Sequence, residues 1–153
     1  MTPTAPRIVI AGASHVERWA YMRAELWPEV SLPEHRDDIL AQLKSGGEEV
    51  TFLAFDDEGE AIGFAEAAIR HDYVNGCDSS PVVFLEGIFI EPSARRSGIA
   101  RALADAVREW GRGHGCTEMA SDADITNEAS HAFHAALGFA ETERVVYFRK
   151  SIG

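Results

Sequence analysis

The stretch VVFLEGIFIEPSARRSGIA, Val82 to Ala100, decides how the rest of the chain is read. Its first half, Val82 to Ile90, is almost wholly apolar and rich in β-branched and aromatic residues. Such a run predicts a strand buried on both faces. One carboxylate, Glu86, interrupts it, and Gly87 follows at once. A lone buried carboxylate is costly unless it is paired or used. A glycine inside a strand marks a bulge or a close approach of another backbone or a ligand. Glu91-Pro92 then ends the strand, because proline cannot donate to the ladder.

Next comes Arg95-Arg96-Ser97-Gly98-Ile99-Ala100, which runs into an amphipathic helix. The first N–H groups of a helix have no intrahelical partner, and the helix dipole makes that end positive, so phosphates bind there. Gly98 and Ala100 leave room for close approach, and Arg95 and Arg96 supply charge that can neutralise a pyrophosphate. The segment is neither a Walker loop nor a Gly-x-Gly-x-x-Gly turn. An ordinary strand–turn–helix with exposed arginines fits the same six residues, and both readings stay open on them alone.

Composition narrows the field around this segment. The 153 residues suffice for one domain, 1–153, with a substantial core, and the 46% hydrophobic share is normal for a globular protein. A net charge of −11 and a pI near 4.9 argue against a nucleic-acid surface. An acidic cleft concentrates cations, although the excess acid also serves solubility. Cys77 and Cys116 form no CxxC and imply no disulfide scaffold, which fits a cytoplasmic protein. The opening MTPTAPRIVIAGAS is not a signal peptide, and no segment reaches transmembrane length, so no membrane partner is expected.

Outward from Val82 the chain reads as alternating elements. Arg7 to Ile10 is a short strand. Ser14, with Glu17 three residues on, offers a capping box for a helix that stops near Trp27-Pro28. A second helix is expected over Glu34 to Lys44, with Ile39, Leu40 and Leu43 inward. Val50 to Phe55 and Ala61 to Ile69 form a hairpin about Asp56-Asp57-Glu58-Gly59. Arg70 to Ser80 is a polar loop carrying Tyr73, an exposed ring of the kind that binds. After the central strand, Ala100 to Gly111 shows an i, i+3, i+4, i+7 stripe. Thr117 to Ser121 is a strand, Asn127 to Leu137 a helix, and Ala140 to Glu143 with Arg144 to Lys150 a last pair of strands. Trp19, Trp110, Phe133 and Phe139 are assigned to the core. His131 and His134 sit at a metal-like spacing, but no third ligand is evident and no metal is expected.

Arg95-x-x-Gly98-x-Ala100 after a strand ending in Glu-Pro resembles motif A of the GCN5-related N-acetyltransferases. Asn127-Glu-Ala-Ser130-His-Ala-Phe133-His134-Ala-Ala-Leu137-Gly138-Phe139 resembles that family's later helix. The likeness covers nearly the whole chain. It implies an α/β (α+β) acyl-CoA N-acyltransferase fold: a central mixed, mostly antiparallel sheet with helices on both faces. It also implies acetyl-CoA as co-substrate, held by Ile88, Phe89, Ile90, Arg95, Arg96, Ser97, Gly98, Ile99, Ala100 and Asn127. Asn127 fits a helix cap equally well. Arg70 to Gly76, Phe84 to Gly87, Leu26-Trp27-Pro28 and Met119 to Asp122 are similar to the aminoglycoside 6'-N-acetyltransferases, with the likeness weakest from Val30 to Glu60. Acetyl transfer to the 6'-amine of an aminoglycoside antibiotic is thereby implied, with Trp27, Tyr73, Glu86 and Asp122 lining the acceptor site. Related enzymes often pair through C-terminal strands, which implies a homodimer.

The residues agree with that chemistry. A polycationic sugar needs carboxylates and flat faces. An alkyl ammonium titrates near about 10, so the attacking amine needs a base or a proton-accepting water at neutral pH. Asp122 is the preferred holder and base, with Glu86 giving charge or a water relay, and the reverse assignment stays open. The oxyanion needs a backbone N–H near Ile88 to Ile90. Where many family members carry a tyrosine that protonates the departing thiolate, this chain has His134, which donates near neutral pH or points away. Two alternatives remain: an acetyltransferase of the same fold for a polyamine or a protein N-terminus, and a non-catalytic acetyl-CoA sensor.

Overall fold

The computed structural model describes residues 6–153, so the first five residues of the N-terminal stretch lie outside it. Five strands, β1 (Arg7–Ile10), β2 (Glu49–Phe55), β3 (Ala61–Arg70), β4 (Val82–Ile90) and β5 (Met119–Ser121), form one sheet in that order. All neighbours run antiparallel except β4 and β5, which are parallel. This is the mixed, mostly antiparallel sheet that the family resemblance implies.

The sheet is covered on both faces because β2, β3 and β4 are apolar on both. Helix α3 (Ile99–Gly113) packs Ile99, Leu103 and Val107 against Phe52, Ala65, Ala67 and Leu85. On the opposite face α1 (Val16–Leu26) packs Trp19 and Met22 against Leu53, Phe64 and Phe89. Alternate residues of each strand therefore enter different clusters, as the two-residue period of a strand requires. Helix α2 (Leu32–Leu43) lies on α1, and α4 (Glu128–Ala136) follows β5.

Several elements depart from the sequence-based expectation. Ser14 does not cap α1: residues Ala13–His15 form a short 3-10 turn, and the Gly12 N–H is taken by His15 Nδ1 at 2.9 Å. Helix α2 begins two residues earlier than expected, because Ser31 Oγ accepts the Glu34 N–H and Pro33 suits the first turn. Its buried stripe is His35 and Ile39, one turn apart, which leaves Leu40 and Leu43 exposed rather than inward. Phe133 does not join the core: it lines the cavity between α3 and α4.

The last pair of strands does not form. A strand exists only within a ladder, and residues 140–153 join none among the described residues. They leave Val146, Tyr147 and Phe148 largely exposed.

Candidate functional site

Strand β4 pairs with β3 from Val82 to Ile90, but Glu66 stands opposite Gly87 and Ala67 opposite Leu85. Glu86 is thus the extra residue of a bulge, which turns its side chain out of the ladder. The carboxylate is 37% exposed and accepts two hydrogen bonds from Arg70 Nη2, at 2.9 and 3.2 Å. The expectation of a lone buried carboxylate at this position is therefore corrected. The buried one is Glu66 on β3.

Parallel pairing of β4 with β5 ends at Leu85 and Ser121. Glu86 and Asp122 are the next residues on the two strands, so they flank the point where the strands part. Asp122 is exposed.

Helix α1 stops at Leu26 because Pro28 pushes Trp27 out of helical space, to φ −124 and ψ 73. The indole then lies over Gly87, half-buried. Trp27 and Glu86 both wall a cavity of about 490 Å³ between α1, α2 and the β3–β4 face, together with Arg23, His35, Asp38 and Glu66. Tyr73 and Asp122 do not line it. Tyr73 stands 73% exposed in the loop before β4.

One buried network underlies that cavity, and sequence reasoning missed it. Glu66 receives Arg23 Nη1 at 2.7 and 2.9 Å and Trp19 Nε1 at 2.9 Å. Burial pushes the Glu66 carboxyl up from its ordinary range, and the Arg23 guanidinium is the strongest opposing influence. The signal was available: Glu66 interrupts AIGFAEAAI as Glu86 interrupts VVFLEGIFI.

At the far end of β4, Gly98 adopts φ 84 and caps α3. That left-handed geometry suits glycine. The first intrahelical bond runs from the Ala102 N–H to the Gly98 carbonyl at 3.1 Å, leaving the N–H groups of Ile99, Ala100 and Arg101 without helical acceptors. These face a cavity of about 380 Å³ whose walls include Ile90, Arg95, Arg96, Arg101 and Phe133. Three of the chain's 14 basic residues thus converge here despite the net charge of −11. Arg95 Nε donates to the Ile90 carbonyl at 3.0 Å, and Arg101 Nη2 donates to Ala136 O at 2.8 Å, tying α3 to α4. Glu91 is neutralised by Arg18 at 2.7 Å. The donor set fits a pyrophosphate.

Asn127 caps α4, its Oδ1 accepting the Ser130 N–H at 3.1 Å. His134 is held by its own helix and by β5. Nδ1 lies 2.7 Å from the Ser130 carbonyl, which only accepts, so Nδ1 donates. Nε2 lies 2.8 Å from Ser121 Oγ. His131 turns elsewhere, to the Asp124 carbonyl at 3.0 Å. Burial raises both Cys77 and Cys116 from 9.0, which disfavours the thiolate form a nucleophile needs.

The family model described as Acetyltransferase (GNAT) family matches residues 16–139. A protein of Salmonella enteritidis named aminoglycoside N(6')-acetyltransferase type 1 is 53% identical over 143 residues, covering 90% of this chain and 93% of that protein. The solved structure of AAC(6')-Iy in complex with the bisubstrate analogue CoA-S-monomethyl-acetylneamine superposes with a TM-score of 0.90 at 49% identity, covering 97% of this chain and all of that one. AAC(6')-Ih from Acinetobacter baumannii superposes at 0.93 with 45% identity and covers 97% of this chain.

Proposed function

This chain belongs to the GNAT acetyltransferase family, and on that premise we propose that it moves the acetyl group of acetyl-CoA to the 6'-amine of aminoglycoside antibiotics, conferring resistance. One observation carries the acceptor assignment. Relatives that share about half of its residues along nearly its whole length bear that activity in their names, and one is solved with a CoA–aminoglycoside adduct.

The free N–H groups of Ile99, Ala100 and Arg101, with Gly98, Arg95 and Arg96, hold the pyrophosphate of acetyl-CoA. Acetyl-CoA, when bound, supplies the acetyl group as a thioester. Ile88, Phe89 and Ile90 follow the bulge, and a backbone N–H among them stabilises the oxyanion. Asn127, which caps α4, contacts the cofactor from the start of that helix. Trp27 gives a flat face for a sugar ring, and Tyr73 a second from the exposed loop. Asp122 takes a proton from the reactive ammonium, and Glu86 adds negative charge for the polycation. His134 keeps its proton on Nδ1, held by the Ser130 carbonyl, and turns Nε2 to Ser121 on β5. The raised thiols fit direct transfer without an acyl-enzyme.

The enzyme acts in the cytoplasm as a homodimer. In support, both cysteines are free, and residues 140–153 carry an apolar arm, Val146 to Phe148, suited to pairing with a partner copy. Gel filtration of the full chain against one ending at Glu143 tests this. A dimer that becomes a monomer supports it, and a monomeric full chain removes it.

The function itself is tested by following free thiol from acetyl-CoA with kanamycin and with its 6'-hydroxyl counterpart. Rapid turnover with the amine alone is expected. No turnover with either, despite acetyl-CoA binding, overturns the antibiotic assignment.

A further inference from the structure

Contacts around Trp27 close into a ring. The indole rests on Gly87, Gly87 pairs with Glu66 across β3 and β4, Glu66 holds Arg23, Arg23 holds His35, and His35 holds Trp27. His35, on α2, is fully buried. Its Nδ1 lies 3.1 Å from Arg23 Nε, and a guanidinium only donates, so Nδ1 accepts. The proton of the neutral ring is then on Nε2, which donates to the Trp27 carbonyl at 3.0 Å.

That carbonyl has two donors, His35 Nε2–H at 3.0 Å and the more distant Val30 N–H at 3.3 Å. Trp27 is the first residue beyond α1 and precedes Pro28, so the helical ladder no longer serves it. A bond to the carbonyl fixes the peptide plane and with it the direction in which the indole leaves the backbone. The imidazole also stacks on the indole, 26° from parallel with centroids 6.4 Å apart, while the Arg23 guanidinium lies 5.0 Å from the indole centroid. An apolar side chain of equal size would fill the space but leave Arg23 Nε unpaired and the Trp27 carbonyl with only the longer bond from Val30.

We propose that His35 is a positioning residue for the acceptor: fixed as the Nε2–H tautomer, it sets the Trp27 indole against the cavity that Glu86 also walls. The inference rests on the reading that this cavity takes an aminoglycoside. His35 touches no reacting atom and works through Trp27.

A double-mutant cycle tests it, with kanamycin binding measured by calorimetry on the full-length enzyme. His35→Leu is expected to weaken kanamycin binding roughly 5- to 20-fold, the loss of one buried hydrogen bond, and to leave acetyl-CoA binding unchanged. In a Trp27→Ala background the same substitution adds nothing. His35→Gln, whose amide can donate to the carbonyl, restores most of the affinity. Without any acceptor present, the Trp27 indole N–H resonance, assigned by its absence in Trp27→Phe, moves in His35→Leu and returns in His35→Gln. Should His35→Leu not fold, His35→Asn replaces it, since its shorter amide meets Arg23 but not the Trp27 carbonyl. Equal losses with and without Trp27, or an unmoved indole resonance, overturn the positioning role. Failure of the wild-type enzyme to bind kanamycin overturns the aminoglycoside reading instead, and the resonance still reports on the geometry.

Discussion

The indole of Trp27 occupies the space that a side chain at Gly87 would need: a Cβ there would stand 2.6 Å from Cη2. Real contacts of that kind do not occur, so Gly87→Ala must displace the ring or the strand. The expected result is a loss of about 1–3 kcal/mol in stability and a raised KM for the acceptor, with the KM for acetyl-CoA little changed. Thermal unfolding and steady-state kinetics with each substrate varied check both parts.

The phosphate turn carries two left-handed residues, Gly98 at φ 84 and Arg96 at φ 66. Only the first suits its geometry. Gly98→Ala is expected to cost about 1–2 kcal/mol and to weaken acetyl-CoA binding. Arg96→Gly should relieve strain of the same order yet also weaken acetyl-CoA, because a cation is lost. Opposite shifts in melting temperature with like shifts in acetyl-CoA affinity would separate strain from charge.

Glu86 is engaged by Arg70, whereas Asp122 stands exposed where β4 and β5 part. Asp122→Asn is therefore expected to lower kcat roughly 10²–10⁴-fold, the usual worth of a general base. Glu86→Gln should mainly raise the acceptor KM. A deeper kcat loss in Glu86→Gln than in Asp122→Asn would exchange the two roles.

Glu118 gathers the loop that leads into β4, accepting the N–H groups of Asp78 and Ser79 and the Ser79 hydroxyl. The Ser79 hydroxyl, first among these, holds its carboxyl below the ordinary 4.5. The folded state thus binds fewer protons than the unfolded one through that window, and stability rises with pH there. The contribution is full above pH 4.5 and is lost as pH falls through the lowered folded value. Melting temperature against pH should fall more steeply below 4.5 for the wild type than for Glu118→Gln.

Read alone, the sequence determined the strand from Val82 to Ile90, the helix after Gly98, the hairpin about Asp56 and the family itself. These features are written in runs of neighbouring residues: apolar period, proline stops and glycine at the phosphate turn. Which of two similar carboxylates is buried was not written that way. Glu66 and Glu86 each interrupt an apolar strand, and only the bulge, a mismatch between β3 and β4, turns Glu86 to Arg70 and leaves Glu66 inside with Arg23. The same holds for α2, where the helical period allowed Leu40 and Leu43 to face inward until packing on α1 selected His35 and Ile39. Residues 140–153 carry a strand-like pattern, but a strand needs a pairing partner, and among the described residues they pair with none, although β5 borders β4 alone. Local pattern specifies what a segment can become; which face it buries, and against what, is decided by partners distant in sequence.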